Sequence, residues 1–299
     1  MNALPATQLR HQAEDWAARL PDLRLQALRV AATVSLGEHG RRRPGPGGSF
    51  WQYRPYRQGD GLREIDWRRS ARSSNRLFIR EREWETAESF WLWLDQSPSM
   101  AYAASARRPE KRDRAAVLML AIASLLLRSG ERVGLLDGTD AKPLGQTPAA
   151  LHRITDRMAQ SMTEASLPPL SGLPRHSTVV LFTDGWQLLD EWDKRLSALT
   201  APGVRGHFVQ VLDPAEERLD LSGRVRLEGL EGEGELLLRR AEDLIDAYGE
   251  RFVAHIRGLQ AICARRGWTY RQHLTDASPL PGLLALHQAI GLGRRVEHA

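Results

Sequence analysis

Residues 89–100 read SFWLWLDQSPSM, and residues 178–185 read TVVLFTDG. Each is a short apolar run, aromatic or β-branched, that stops at an aspartate, Asp95 in the first and Asp184 in the second. Such runs suit strands buried on both faces of a sheet. Between and beyond them the pattern alternates. Helical spacing runs over 113–128, 148–160, 188–199, 239–265 and 280–290, and extended runs over 132–137, 207–213 and 269–274. Strands separated by helices predict a doubly wound, mostly parallel, Rossmann-type α/β sheet, here of about six strands, covered by helices on both sides.

Outward from that core the rhythm changes. Leu9, Ala13, Trp16, Ala17, Leu20, Leu25, Leu28 and Ala31 lie at helical spacing, and Pro21 is expected to divide them into two helices or to start the second. The run GEHGRRRPGPGG at 37–48 is too rich in glycine, proline and arginine for regular structure. From Ser49 to Glu88, short extended pieces with aromatic residues predict a small β-rich attachment. Residues 219–239 read as a hairpin with its turn near Gly232-Glu233-Gly234. The expected organisation is an N-terminal helical arm at 1–36, an arginine-rich β attachment at 37–88 and the α/β domain at 89–299.

Bulk composition narrows the function classes. Cys263 is the only cysteine of the 299 residues, so no intramolecular disulfide and no cysteine zinc cluster can form. The longest apolar run, Ala115 to Leu127, is too short to span a bilayer and reads as a buried helix. The charged N-terminus does not read as a signal peptide, so a soluble, cytoplasmic protein without a membrane span is expected. Net charge is +5, carried almost entirely by arginine, with Lys111, Lys142 and Lys194 the only lysines.

In an open parallel sheet, ligands sit outside the carboxyl ends of the strands, where the strand order reverses. Asp95-x-Ser97-x-Ser99 and Thr183-Asp184-Gly185 fall at two such ends. Two carboxylates and two hydroxyls suit a hard divalent cation, which prefers oxygen ligands. Hydroxyl ligands leave the ion incompletely neutralised, so it could take one more carboxylate from a partner. The same residue types also cap helices and form turns.

These residues resemble the metal-ion-dependent adhesion site of von Willebrand factor A domains. Upstream, Gly45-x-Gly47-x-x-Phe50, Arg54-x-Tyr56-x-x-Gly59-Asp60-x-x-Arg63-x-Ile65-Asp66-Trp67 and Ser70-Ala71-Arg72 resemble the signature of the bacterial family called domain of unknown function 58. Val211-Leu212-Asp213-Pro214-x-Glu216 and Tyr248 extend the similarity. The resemblance implies a von Willebrand factor A-like core and a metal site at Asp95, Ser97, Ser99 and Asp184, filled by Mg2+ or by Mn2+ or Ca2+. Thr163 is the nearest candidate for a further threonine ligand, although the glycines that usually surround that position are missing. The resemblance also implies a non-catalytic adaptor that partners a MoxR-type AAA+ ATPase and meets an acidic residue of a client in protein complex assembly or remodelling.

Two other readings use the same chain. A Mg-dependent phosphoester hydrolase could occupy the strand-end site, but Asp95-x-Ser97 lacks the second acid of the Asp-x-Asp used by phosphoaspartyl phosphatases. Nucleic acid could meet the arginines between Arg54 and Arg82, which alternate with Tyr53, Tyr56, Trp67 and Phe78. Acidic residues mixed among them weaken that footprint, and Asp60 and Asp66 are expected to pair with arginines while Trp67 packs the attachment on the sheet domain. No Gly-Lys-Ser/Thr phosphate loop, histidine ligand pair or Gly-x-Ser-x-Gly elbow is present.

Overall fold

The computed structural model describes residues 6–38, 50–56, 65–72, 77–82, 87–138, 143–160, 165–170, 173–200, 203–218, 223, 225–228, 235–238 and 242–297. Two compact units divide the chain: Glu38–Ala87, and Met1–Gly37 together with Glu88–Ala299.

The larger unit begins with α1 (Ala6–Glu38), a single helix that runs through Pro21. This corrects the expected break. Trp16, Leu20, Leu23, Ala27, Ala31 and Val34 recur every three or four residues and are all buried in one cluster, so packing along the whole stripe outweighs the hydrogen bond that proline removes. In the smaller unit, β1 (Phe50–Pro55) and β2 (Phe78–Arg82) pair antiparallel, with Tyr53 opposite Arg80. The single turn α2 (Trp67–Ser70) starts at Asp66, whose side chain accepts from the Arg69 backbone N–H at 3.0 Å. Ile65 and Ser70 are the buried residues there, whereas Trp67, expected to be a packing residue, is 61% exposed. Asp60 lies outside the described residues.

The central sheet is built from β3 (Ser89–Leu94), β4 (Arg132–Leu135), β5 (Ser177–Thr183), β6 (Arg205–Leu212) and β9 (Thr269–Leu274). The order is β4-β3-β5-β6-β9 and every pairing is parallel. Five strands, not about six, form it among the described residues. The remaining pair, β7 (Val225–Glu228) and β8 (Glu235–Leu238), makes the separate antiparallel hairpin expected between 219 and 239.

Alternation along the strands creates two cores. Phe90, Leu92, Leu94, Val180, Phe182, Val209 and Val211 face the cluster that holds α1, α3 (Lys111–Arg128) and α8 (Pro279–Glu297). Trp91, Trp93, Val179, Leu181 and Phe208 face α5 (Leu189–Leu199) and α7 (Glu242–Arg265). From Ala115 to Leu127, helix α3 is apolar on nearly every side and buried throughout, as an all-round hydrophobic segment must be. One close approach fixes the register on the second face: a Cβ on Gly206 would lie 1.8 Å from the Trp268 ring, so only glycine fits. Helix α4 (Ala150–Gln160) covers the β4 side.

The chain leaves β3 outward to β4, then returns across β3 to β5 and continues away through β6 to β9. The direction reverses between β3 and β5. Asp95 and Asp184 follow the last residues of those two strands.

Candidate functional site

The β3–β5 ladder carries one residue past the end of β3: the Asp95 N–H donates to Phe182 O at 2.9 Å. The chain then turns through a 3-10 segment, Pro98–Met100, with Ser97 at its N-cap. Asp95 shapes that turn. Its Oδ1 accepts from the Ser97 backbone N–H at 2.9 Å and from Ser97 Oγ at 2.6 Å. Ser97 Oγ and Ser99 Oγ are 3.1 Å apart. From the neighbouring strand, Thr183 Oγ1 donates to Asp95 Oδ2 at 2.7 Å and accepts from the Gly185 N–H at 3.0 Å. Gly185 takes the left-handed conformation, with φ of 72°, which glycine adopts without strain.

Asp184 has a different partner. Lys111, the first residue of α3, places its Nζ 2.9 Å from Asp184 Oδ2 and 2.6 Å from Glu216 Oε1. The Lys111 side chain is 1% exposed, and its ammonium stands 5.7 Å from the centre of the Tyr102 ring. Glu216 belongs to α6 (Pro214–Glu217), which begins with a capping box: Ala215 N–H donates to Asp213 Oδ1, and Asp213 N–H donates to Glu216 Oε2. Trp186 Nε1 also donates to Glu216 Oε1 at 3.0 Å, and Tyr248 OH donates to the Glu216 carbonyl at 2.6 Å. Asp213, fully buried, accepts from Arg108 Nη1 at 3.0 Å and from the Ala104 N–H at 3.2 Å.

Electrostatics follow from this burial. Desolvation, reinforced by the nearby charge of Asp184, lifts the Asp95 carboxyl well above the usual carboxylate range, against the hydrogen bonds from Ser97 and Thr183. Burial works against the Lys111 charge, but Asp184 and Glu216 overcome it and hold that ammonium above its ordinary value. Burial raises Glu216 despite its contact with Lys111.

The fold therefore gathers Asp95, Ser97 and Ser99 into one cluster and brings Asp184 to the same rim. Thr163 lies outside the described residues. Asp95, Ser97 and Asp184 have no exposed surface, and of the four only Ser99 is partly exposed. Asp95, Ser97 and Ser99 supply oxygens of the kind a hard cation takes. Asp184 fits less well, because an ammonium already sits on its Oδ2. No group of three or more His, Cys, Asp or Glu is placed to hold a metal ion among the described residues. Lys111 and Glu216 complete the rim, and sequence reasoning assigned neither a role there. A rare lysine at a helix start just after the Asp-x-Ser-x-Ser stretch was the available signal. Beside the cluster, a cavity of about 640 Å3 opens at the ends of β3 and β4, lined in part by Trp93, Gln96, Leu136, Arg157 and Arg195.

No helix is long and apolar enough to cross a membrane among the described residues. The chain is 31% identical over 176 residues to the uncharacterized proteins Rv1480 of Mycobacterium tuberculosis and Mb1516 of Mycobacterium bovis. The match covers 57% of this chain and 51% of theirs, so the chain spans about half the length of the curated relatives it matches. Among solved structures, it is similar to the conserved hypothetical protein BatB from Bacteroides thetaiotaomicron, at 16% identity and a TM-score of 0.40, over 70% of this chain and all of that one. An uncharacterized membrane-spanning protein from Vibrio fischeri aligns at 19% identity and a TM-score of 0.18, over 67% of this chain and 96% of that one. The family model described as "Protein of unknown function DUF58" matches residues 52–257, more than half of the chain, and the chain belongs to that family.

Proposed function

We propose that this chain is a non-catalytic adaptor, built on a von Willebrand factor A-like core, that docks a protein partner at the carboxyl rim of its sheet. The observation that carries this reading is the Asp95–Ser97–Ser99 cluster beside β5, at the point where strand order reverses and open α/β sheets bind their ligands. The partner we favour is a MoxR-type AAA+ ATPase, acting on an acidic client, as the resemblance to the family implies. Asp95, Ser97 and Ser99 would hold Mg2+, Mn2+ or Ca2+, and the ion would supply a positive acceptor for a client carboxylate. A serine nucleophile at the same place would have to reach its substrate, and Ser97 has no exposed surface; a client carboxylate would meet the cluster at Ser99, its partly exposed member.

The test is capture of a MoxR-type ATPase by the wild type and by Ser99→Ala and Asp95→Asn, each with and without EDTA. We expect either substitution to weaken capture about tenfold, or roughly 1.4 kcal/mol. Undiminished capture by both variants, each shown to be folded, would overturn the docking site. Capture that survives EDTA but fails in Ser99→Ala would keep the surface and remove the divalent ion from it.

A further inference from the structure

We infer that Lys111 is the standing cation of this rim: its ammonium holds the place between Asp184 and Glu216, so Asp184 is not a divalent-metal ligand in this chain. The inference goes beyond the adaptor reading and needs no partner for its test. It rests on geometry. A single Nζ lies 2.9 Å from Asp184 Oδ2 and 2.6 Å from Glu216 Oε1, closed off from solvent. Those separations are those of charge-assisted hydrogen bonds, and they consume two of the three ammonium protons. Ca2+ takes oxygens at about 2.3–2.6 Å and Mg2+ at about 2.0–2.1 Å. A small inward shift of the two carboxylates would therefore suit an ion, and the ammonium stands where that ion would be.

The residue type fits the task. The chain carries 42 basic residues, of which only Lys111, Lys142 and Lys194 are lysines, and one of these three is sealed between two acids. Arginine presents a planar fork of donors, whereas lysine delivers a compact point charge on a flexible stem, the closer mimic of a bare ion. The stem is anchored as well, because the Lys111 backbone N–H donates to Tyr102 O at 3.0 Å. Trp186 Nε1 donates to the Glu216 oxygen that also meets Nζ, which fixes that carboxylate from a second side.

Mn2+ binding, read by calorimetry and by the paramagnetic signal of the free ion, tests the inference on the full chain. In the wild type, Asp184→Asn should leave any Mn2+ affinity unchanged within twofold, since Asp184 does not touch the ion. Lys111→Ala should gain a Mn2+ site at least tenfold tighter than any in the wild type, and adding Asp184→Asn should remove the gain. Lys111→Met, which deletes the charge but fills the space, should gain none. Wild-type binding that falls tenfold on Asp184→Asn would overturn the inference, as would a Lys111→Ala protein that folds and gains no site. Should Lys111→Ala fail to fold, Lys111→Ser, which also leaves the space open, takes its place and the wild-type comparison stands on its own. Failure of the docking reading appears only in the capture assay, so the two outcomes stay separate.

Discussion

Asp213 is the residue on which the packing of the β6 end depends. Its carboxylate caps α6, pairs with Arg108 and accepts from the Ala104 N–H, all without exposure to solvent. Arg108 is 35% exposed, so removing Asp213 strands only part of its surroundings and costs about 1–3 kcal/mol. Asp213→Ala should lose stability on that scale in urea unfolding, and a loss below about 1 kcal/mol would mean that water takes over the freed groups. The neighbouring pair behaves differently in kind: Lys111 and Asp184 are joined to Glu216, Trp186 and Tyr248, so single deletions there will not add and need double-mutant cycles.

At the scale of elements, α1 makes the sharpest statement. Pro21 sits inside a 33-residue helix and removes one backbone hydrogen bond while the buried stripe from Trp16 to Val34 continues past it. Pro21→Ala should therefore stabilise the protein, by up to about 3 kcal/mol, seen as a raised urea midpoint. A neutral or destabilising result would mean that the proline is accommodated by a bend the core requires. The sequence makes α3, α4, α5, α7, α8 and the sheet strands legible because apolar runs and helical spacing are local signals. It misleads at Pro21 because a local breaker is overruled by distant packing. The same division holds at the rim. Asp95, Ser97 and Ser99 share one turn and can be recognised from spacing. Lys111 meets Asp184 across 73 positions and Glu216 across 105, a juxtaposition that no local pattern encodes.

For the whole molecule, stability should depend on pH through histidines held neutral. Burial, with Arg205 and Arg271 nearby, pulls His207 from 6.5 down to about 4, and His207 Nδ1 stays 2.7 Å from Thr269 Oγ1. Burial and Arg114 bring His273 down to about 4 as well. The unfolded chain takes up these protons first on acidification. Their contribution is therefore complete above pH 6.5, falls as pH drops toward 4, and is constant below that. The slope for one such histidine reaches about 1.4 kcal/mol per pH unit. His207→Gln should lose less stability than the wild type between pH 7 and pH 5, and equal losses in urea unfolding would contradict the assignment. The lacing of the rim has a further consequence at this scale. Glu216 ties together the start of α3, the turn after β5 and helix α7 before anything arrives. A partner docked as proposed above would meet a preorganised surface, would give up little ordering entropy in forming the complex, and should associate without a slow rearrangement step.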